Sequence, residues 1–259
     1  MSLFETIQSD PPTWANDSIQ SWDDILQHDM TDFVVRETFE RDARVDMRDV
    51  IGQSGHDAGQ TWLEAAVNPQ YKATKMARMF DLYERNPDYY FNGELGAGDS
   101  LFLSSANGSK WYTDSGGNHR TVVAKSACDR RFRDAKEKGG YPGIRGAVAY
   151  RYEIDHESRD LYLKFRDHAG KGLAARPEKR ETSKRSVAST TVIASDLTFF
   201  ATDFRFNDGG RSQPLDAPEF RKFARHFLAR DGKVDGRDRL RHLWMGYARG
   251  DFESLIYPA

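Results

Sequence analysis

Apolar positions recur at helical spacing in a few stretches and alternate or cluster elsewhere. Ile19, Trp22, Ile25 and Leu26 fall on one side of a short helix that Asp17 or Ser18 can cap. Asn68-Pro69 is a cap and first-turn pair, and Met76, Met79, Phe80 and Tyr83 continue from it as an apolar stripe until Asn86-Pro87 stops the helix. A methionine and aromatic stripe of this kind is core. Phe33-Val34-Val35 predicts a short strand, whereas the arginine- and aspartate-rich run Glu40 to Asp49 offers little to bury and predicts an arm, packed on the core or mobile.

The middle of the chain is richest in signals. Ser100 to Ser104 reads as a strand, Asn107-Gly108 as a hairpin turn, and Lys110 to Thr113 as the returning strand. Asp114-Ser115-Gly116-Gly117 breaks it, and a helix opens at Asn118, running through Val122, Val123, Ala127 and Cys128 toward Phe132. Ala147 to Ile154 and Asp160 to Phe165 predict strands around an Asp155-His156 turn, and Ala169 to Ser186 an exposed loop. Val187 to Phe206 predicts one or two strands, followed by helices from Asp216 to Ala229 and from about Arg237 to Tyr247. There is no internal repeat. Mixed strands and helices imply an α+β core with helical additions at both ends. The expected division is an acidic N-terminal arm over 1–60, a core over 61–170, and a basic loop, strands and C-terminal helices over 171–259.

Composition narrows the class. The chain has 259 residues, 38% hydrophobic and 12% aromatic, too aromatic for a disordered protein. No run approaches the ~20 apolar residues of a membrane helix, and no positively charged segment precedes an apolar stretch at the start, so a cytoplasmic protein without membrane contact is expected. A single cysteine, Cys128, excludes an intrachain disulfide and a multi-cysteine zinc site, and no metal ligand set stands out. The net charge of −2 hides a separation. Residues 1–60 carry 13 acids and 4 bases, while 120–185 carry 18 bases and 10 acids. Such separation steers phosphate-bearing ligands such as DNA to the basic segment and a protein partner to the acidic arm, or it is simply a solvated surface.

The turn from Asp114 to Arg120 has physical reasons to bind phosphate. Gly116 and Gly117 allow close approach of a ligand. A helix opening at Asn118 offers unpaired amides and the positive end of its dipole. Arg120 can grip phosphate through two hydrogen bonds, and His119 can donate to phosphate or shuttle a proton. Each residue also has a plain reading, as a turn, a surface histidine and a salt-bridge partner.

Tyr112-Thr-Asp-Ser-Gly-Gly-Asn-His-Arg-Thr-Val-Val-Ala-Lys125 resembles the signature turn of the ParB/sulfiredoxin superfamily. Members carry a glycine, polar residues and an arginine opening an alanine- and valine-rich helix, and sulfiredoxins carry Gly-Gly-Cys-His-Arg there. The resemblance covers 110–128 and extends to flanking elements from about 68 to 166. It implies a mixed-sheet core with a strand, glycine turn and helix that hold nucleotide phosphates at Gly116, Gly117, Asn118, His119 and Arg120. It further implies a nucleoside triphosphate ligand, ATP or CTP, with Mg2+. Asn118 stands where sulfiredoxins have their catalytic cysteine, so sulfinic acid reduction is not expected. Other members hydrolyse nucleotides, cut DNA or slide on it, and a plasmid-borne branch inhibits the fertility of competing plasmids. The expected function is a phosphate-ester hydrolase, ATPase or DNase, with Asp114, His119 and Arg120 as catalytic candidates. The alternatives are a nucleotide-switched DNA-binding regulator without turnover, and an inhibitor docking on conjugation or secretion machinery.

Around this turn, Glu94 and Asp99 are further acids near the feeding strand. Lys125, Arg130, Arg131 and Arg133 either extend a basic track or serve as solvated charges at the helix end. Of Trp111 and Tyr112, one must face the core and the other can stack on a base. Cys128, roughly 15 Å along the helix from Asn118, reads as a core thiol. The bases Arg221, Lys222, Arg225, Arg237, Arg239 and Arg241, on helices separated by Asp231–Gly236, read as polar helix faces or as a DNA contact.

Overall fold

The computed structural model describes residues 1–25, 28–55, 58–68, 73–92, 100–108, 110–114, 117–135, 140–169, 174–187, 195–206 and 214–229. In chain order the elements are α1 (Leu3–Ser9), β1 (Gln20–Ser21), α2 (Trp22–Ile25), α3 (His28–Thr31), β2 (Val34–Asp46) and β3 (Val50–Gln53). Then come α4 (Trp62–Val67), α5 (Ala73–Arg85), β4 (Phe102–Ala106), β5 (Trp111–Thr113), α6 (Asn118–Asp134) and β6 (Gly143–Ile154). The chain continues with α7 (His156–Ala169), β7 (Ala175–Val187), β8 (Ser195–Phe206), β9 (Leu215–Asp216) and α8 (Ala217–Ala229). The class is α+β with a mixed sheet. Among the described residues no helix is long and apolar enough to cross a membrane.

The chain divides into two compact units, the first holding described residues of 1–27, 37–152 and 184–197, the second those of 28–36, 153–183 and from 198 onward. In the first, the strand order is β1-β3-β5-β4-β6-β2. β1, β3 and β5 run parallel, β4 is antiparallel to β5, and β4 is parallel to β6. Leu103, Ala147 and Ala149 of this sheet, and Leu101 just before β4, share one core with Val122, Val123, Ala127 and Cys128 of α6 and with Met76, Met79, Phe80 and Tyr83 of α5.

Residues before position 60 belong to that core. Leu3, Ile7, Ile19, Ala43, Val45 and Met47 are all buried within it. The stretch Glu40 to Asp49, expected to have little to bury, is the end of β2 and a 3-10 turn at Met47–Asp49. Its buried residues sit at every second position, between Asp42, Arg44 and Asp46, so a strand with one charged face looked like a charge run. Ile19 is not helical either. Its amide donates to Gln60 O and its carbonyl accepts from Gly59 N, which carries the chain into β1, and the helix begins only at Trp22. Asn68 closes a helix, while Pro69 to Lys72, where the next helix was expected to open, lie outside the described residues. The Asn68 amide donates to Glu64 O at the end of α4, whose start is fixed by a reciprocal capping box between Thr61 and Glu64.

In the second unit β7 and β8 are neighbours, and β9 pairs antiparallel with β8. Ala169 to Ser186 is therefore not a loop throughout, since β7 occupies 175–187 with almost every residue exposed. Asp160 to Phe165 is helical, not a strand. Asp155 caps α7 by accepting from the Ser158 amide and hydroxyl, and Ser158, Tyr162, Phe165 and Ala169 then fall on one buried stripe. Phe165 meets Phe206, Phe220, Phe223 and Phe227 edge-on, and Phe204 stacks on Phe220 with centroids 3.6 Å apart. Of the α8 bases, Arg221 is committed to Asp155 and Arg225 to Glu157. The expected helix over 237–247 and the Asp231–Gly236 loop lie outside the described residues.

Candidate functional site

The turn lies in the first unit, where β5 ends and α6 begins. Strand alternation sends Thr113 toward α6, where its hydroxyl meets that of Thr121 at 2.7 Å. Gly117 is the residue before the helix, and its carbonyl accepts the Thr121 amide at 2.7 Å. It is buried, and a Cβ there would come within 3.2 Å of both Leu101 Cδ2 and Thr113 Cγ2. Its φ of −170° is extended backbone, so closeness of packing rather than torsion explains glycine here. Ser115 and Gly116 lie outside the described residues, as do Glu94 and Asp99.

Asn118, His119 and Arg120 form the first helical turn, all half-buried. The leading amides of any α-helix have no intrahelical acceptor, and its dipole makes this end positive. Asn118 plays a different part from the one expected. Its Nδ2 donates to Ser54 O at 2.6 Å, which commits the side-chain donor to the fold, while its Oδ1 is buried without a hydrogen-bond partner. Gly55, at φ +93°, turns the chain directly after Ser54, in a backbone conformation that favours glycine. The signal for Ser54 in the sequence was the glycine pair Gly52 and Gly55 flanking it.

Asp114 points to the other face of the sheet. Its backbone amide donates to Phe102 O, and its Oδ2 accepts from the Ser104 hydroxyl at 3.3 Å. The Tyr152 phenol is close to Ser104, Glu37 and Asp114, and burial pushes it above its ordinary range. The turn thus brings Asn118, His119 and Arg120 together on the helix and sends Asp114 toward Ser104 and Tyr152. Trp111 and Tyr112 are both buried. Arg151 lies over the Trp111 ring, Trp22 packs on Tyr112, and the Tyr112 phenol donates to Gln20, so neither ring is presented for stacking.

The basic track beyond Arg120 does not form. Lys125 is 2% exposed, with Nζ donating to Met47 O (2.7 Å) and Val50 O (2.8 Å) between the faces of Trp14 and Trp62. Burial pulls its amine down from 10.5 to about 8. Arg130 pairs with Asp134, Arg131 with Asp88, and Arg133 with Asp10 and Asp129. Cys128 is fully buried, and desolvation pushes its thiol far above the ordinary range, which suits a core residue and not a nucleophile. Among the described residues no three His, Cys, Asp or Glu side chains converge on a metal position. A cleft of about 280 Å³ beside the C-terminal half of α6 is lined by Asp10, Asp129 and Arg133, which are already paired, and another of about 330 Å³ lies along α1, α4 and α5. No family model, curated protein or solved structure matches the chain.

Proposed function

We propose that the protein is a nucleotide-binding phosphate-ester hydrolase of ParB/sulfiredoxin type, with its phosphate site at the start of α6. The observation that carries this reading is the packing at Gly117. A strand ends, a buried glycine whose Cβ would crowd Leu101 and Thr113 at 3.2 Å follows, and a helix start with half-exposed His119 and Arg120 comes next. The resemblance of residues 112–125 to the superfamily's signature turn supports the same reading.

In this reading Gly116 and Gly117 shape the bend, the leading amides of α6 and Arg120 bind the phosphates, and Asn118 fixes the helix start against Ser54. In hydrolysis, a water oxygen bonds to phosphorus as the bond to the bridging oxygen breaks. The nucleoside diphosphate leaves with that electron pair, and His119 takes the proton from the attacking water. Arg120 neutralises charge spread over the transferred group. Asp114 is the carboxylate nearest the bend in sequence. Its carboxylate, bonded to Ser104 on the sheet face away from α6, does not fit a magnesium ion at the helix start, so such an ion would be held there by nucleotide and water and would add charge neutralisation.

A second reading has its own support. Ser104 holds the Asp114 carboxylate on the face away from α6, an arrangement that suits a regulator binding nucleotide without turnover. A thermal-shift panel of ATP, ADP, CTP and GTP with and without Mg2+, run beside a phosphate-release assay, separates the two. Arg120→Ala is expected to abolish nucleotide-induced stabilisation while leaving the melting temperature of the free protein nearly unchanged. Stabilisation that survives Arg120→Ala would remove this turn as the phosphate site.

A further inference from the structure

The groove of about 330 Å³ along α1, α4 and α5 lies within the first unit. One wall is a stripe of α5. Ala73, Met76, Ala77, Phe80, Asp81 and Glu84 recur at helical spacing, apolar over the first two turns and acidic over the third. Ala73 and Ala77 are exposed, and their short side chains give the groove its room. Val67 at the end of α4, 38% exposed, and Phe4 of α1, whose ring meets Phe80 edge-on at 5.2 Å, complete the apolar part. The polar part carries one sign of charge. Asp81 and Glu84 are both exposed, and no lysine, arginine or histidine lines the groove. Glu84 uses one oxygen to accept the Leu3 amide at the start of α1. Asp81 enters no ion pair among the described residues, although Arg78 and Arg85 lie one turn to either side on the same helix.

We propose that this groove docks an amphipathic helix of another protein, which lays two apolar side chains along the alanine part and a lysine or arginine against Asp81 and Glu84. Charge selects the occupant. A nucleic-acid strand or an anionic lipid surface would bring phosphates against two carboxylates that no base in the groove offsets. A wholly apolar ligand would leave the acidic third of the stripe unused. A helix suits the spacing. Ala73 to Glu84 rises about 16.5 Å, three helical turns, so side chains one turn apart on a partner meet two apolar steps and then an acidic one. The inference stands apart from the nucleotide reading, because none of these residues belongs to the start of α6.

Fluorescence anisotropy of labelled synthetic helices, titrated with the full chain, tests this. The probe is an alanine-based peptide with two leucines four residues apart and an arginine four residues beyond each, which serves both chain directions. In the control peptide glutamates replace the arginines. The arginine peptide is expected to bind at least roughly tenfold more tightly than the control, and to weaken as salt rises. Asp81→Asn, at an exposed position, should weaken it roughly threefold. Ala77→Arg, also exposed and compatible with the helix, fills the groove and should abolish binding, whereas Arg120→Ala should leave it unchanged. Absence of binding by the arginine peptide, equal binding of the two peptides, or binding indifferent to Ala77→Arg would overturn the proposal. Self-association of the chain alone that Ala77→Arg abolishes would also overturn it, by making a second copy the occupant.

Discussion

Asn118 and Lys125 stand two helical turns apart on α6 and grip the two ends of β3, Asn118 through Ser54 O and Lys125 through Val50 O. Seven helical residues rise about 10.5 Å, and four strand residues span about 13 Å, so helix and strand keep step over this length. The Ser54 amide also donates to Thr113 O, which ties the end of β3 to the strand that leads into the bend. The start of α6 is thus set by β3 as well as by its own cap.

Removing the upper grip should loosen the bend without unfolding the chain. Asn118→Ala deletes one hydrogen bond and leaves Ser54 O without that donor, an expected loss of about 1–2 kcal/mol in urea denaturation. Asn118→Asp sets a carboxylate against a carbonyl and should cost more. Equal stability of all three proteins would show that Asn118 does not position the helix.

Two glycines separate mild from severe crowding. At Gly117 a methyl group meets side-chain atoms at 3.2 Å, and small shifts of Leu101 and Thr113 relieve it, so Gly117→Ala is expected to cost about 1 kcal/mol. At Gly52 it would stand 2.3 Å from Gln20 O and 2.5 Å from the Tyr112 ring, where backbone of the neighbouring strand blocks it. Gly52→Ala should cost about 3 kcal/mol or more, or prevent folding. Chemical denaturation of the two variants side by side checks the order.

The strand that leads into the bend and α6 were legible because local signals agreed there. Asn107-Gly108 marks a turn, glycines break the strand, and the apolar positions after Asn118 recur at helical spacing. What stayed hidden depends on partners distant in sequence. Lys125 reads as a surface cation until Trp14, Trp62 and the corner at Met47 enclose it. Asn118 reads as a phosphate donor until Ser54, 64 residues earlier, takes its amide. The strand expected over 160–165 failed for a local reason, because the cap at Asp155 was read as a turn.

Cys128 gives a direct probe of the core. Full burial and a thiol pushed far from ionisation should protect it from iodoacetamide and from disulfide reagents in the native chain. Alkylation followed by mass spectrometry is expected to be slow in buffer and fast in urea. Rapid labelling of the folded protein would place Cys128 on an opening part of the structure.

Lys125 should impose a pH dependence of definite sign. Its amine is held near 8 when folded, against an ordinary value of 10.5, chiefly by desolvation, with Asp17, Asp46 and Asp49 pulling the other way. Below pH 8 the ammonium is charged in both states, and folding bears the whole cost of burying it. Between about 8 and 10.5 the unfolded chain holds a proton that the folded chain lacks, so stability rises with pH, and above that range the gain is complete. A depression of this size corresponds to about 3 kcal/mol. Lys125→Met removes this titration and leaves the others in place. The stability of the natural chain relative to Lys125→Met is therefore expected to climb by that order from pH 7 to 10.5, read by urea denaturation at each pH. A difference flat across the range would mean that the two carbonyls and the tryptophan faces compensate the ammonium fully for the water it has lost.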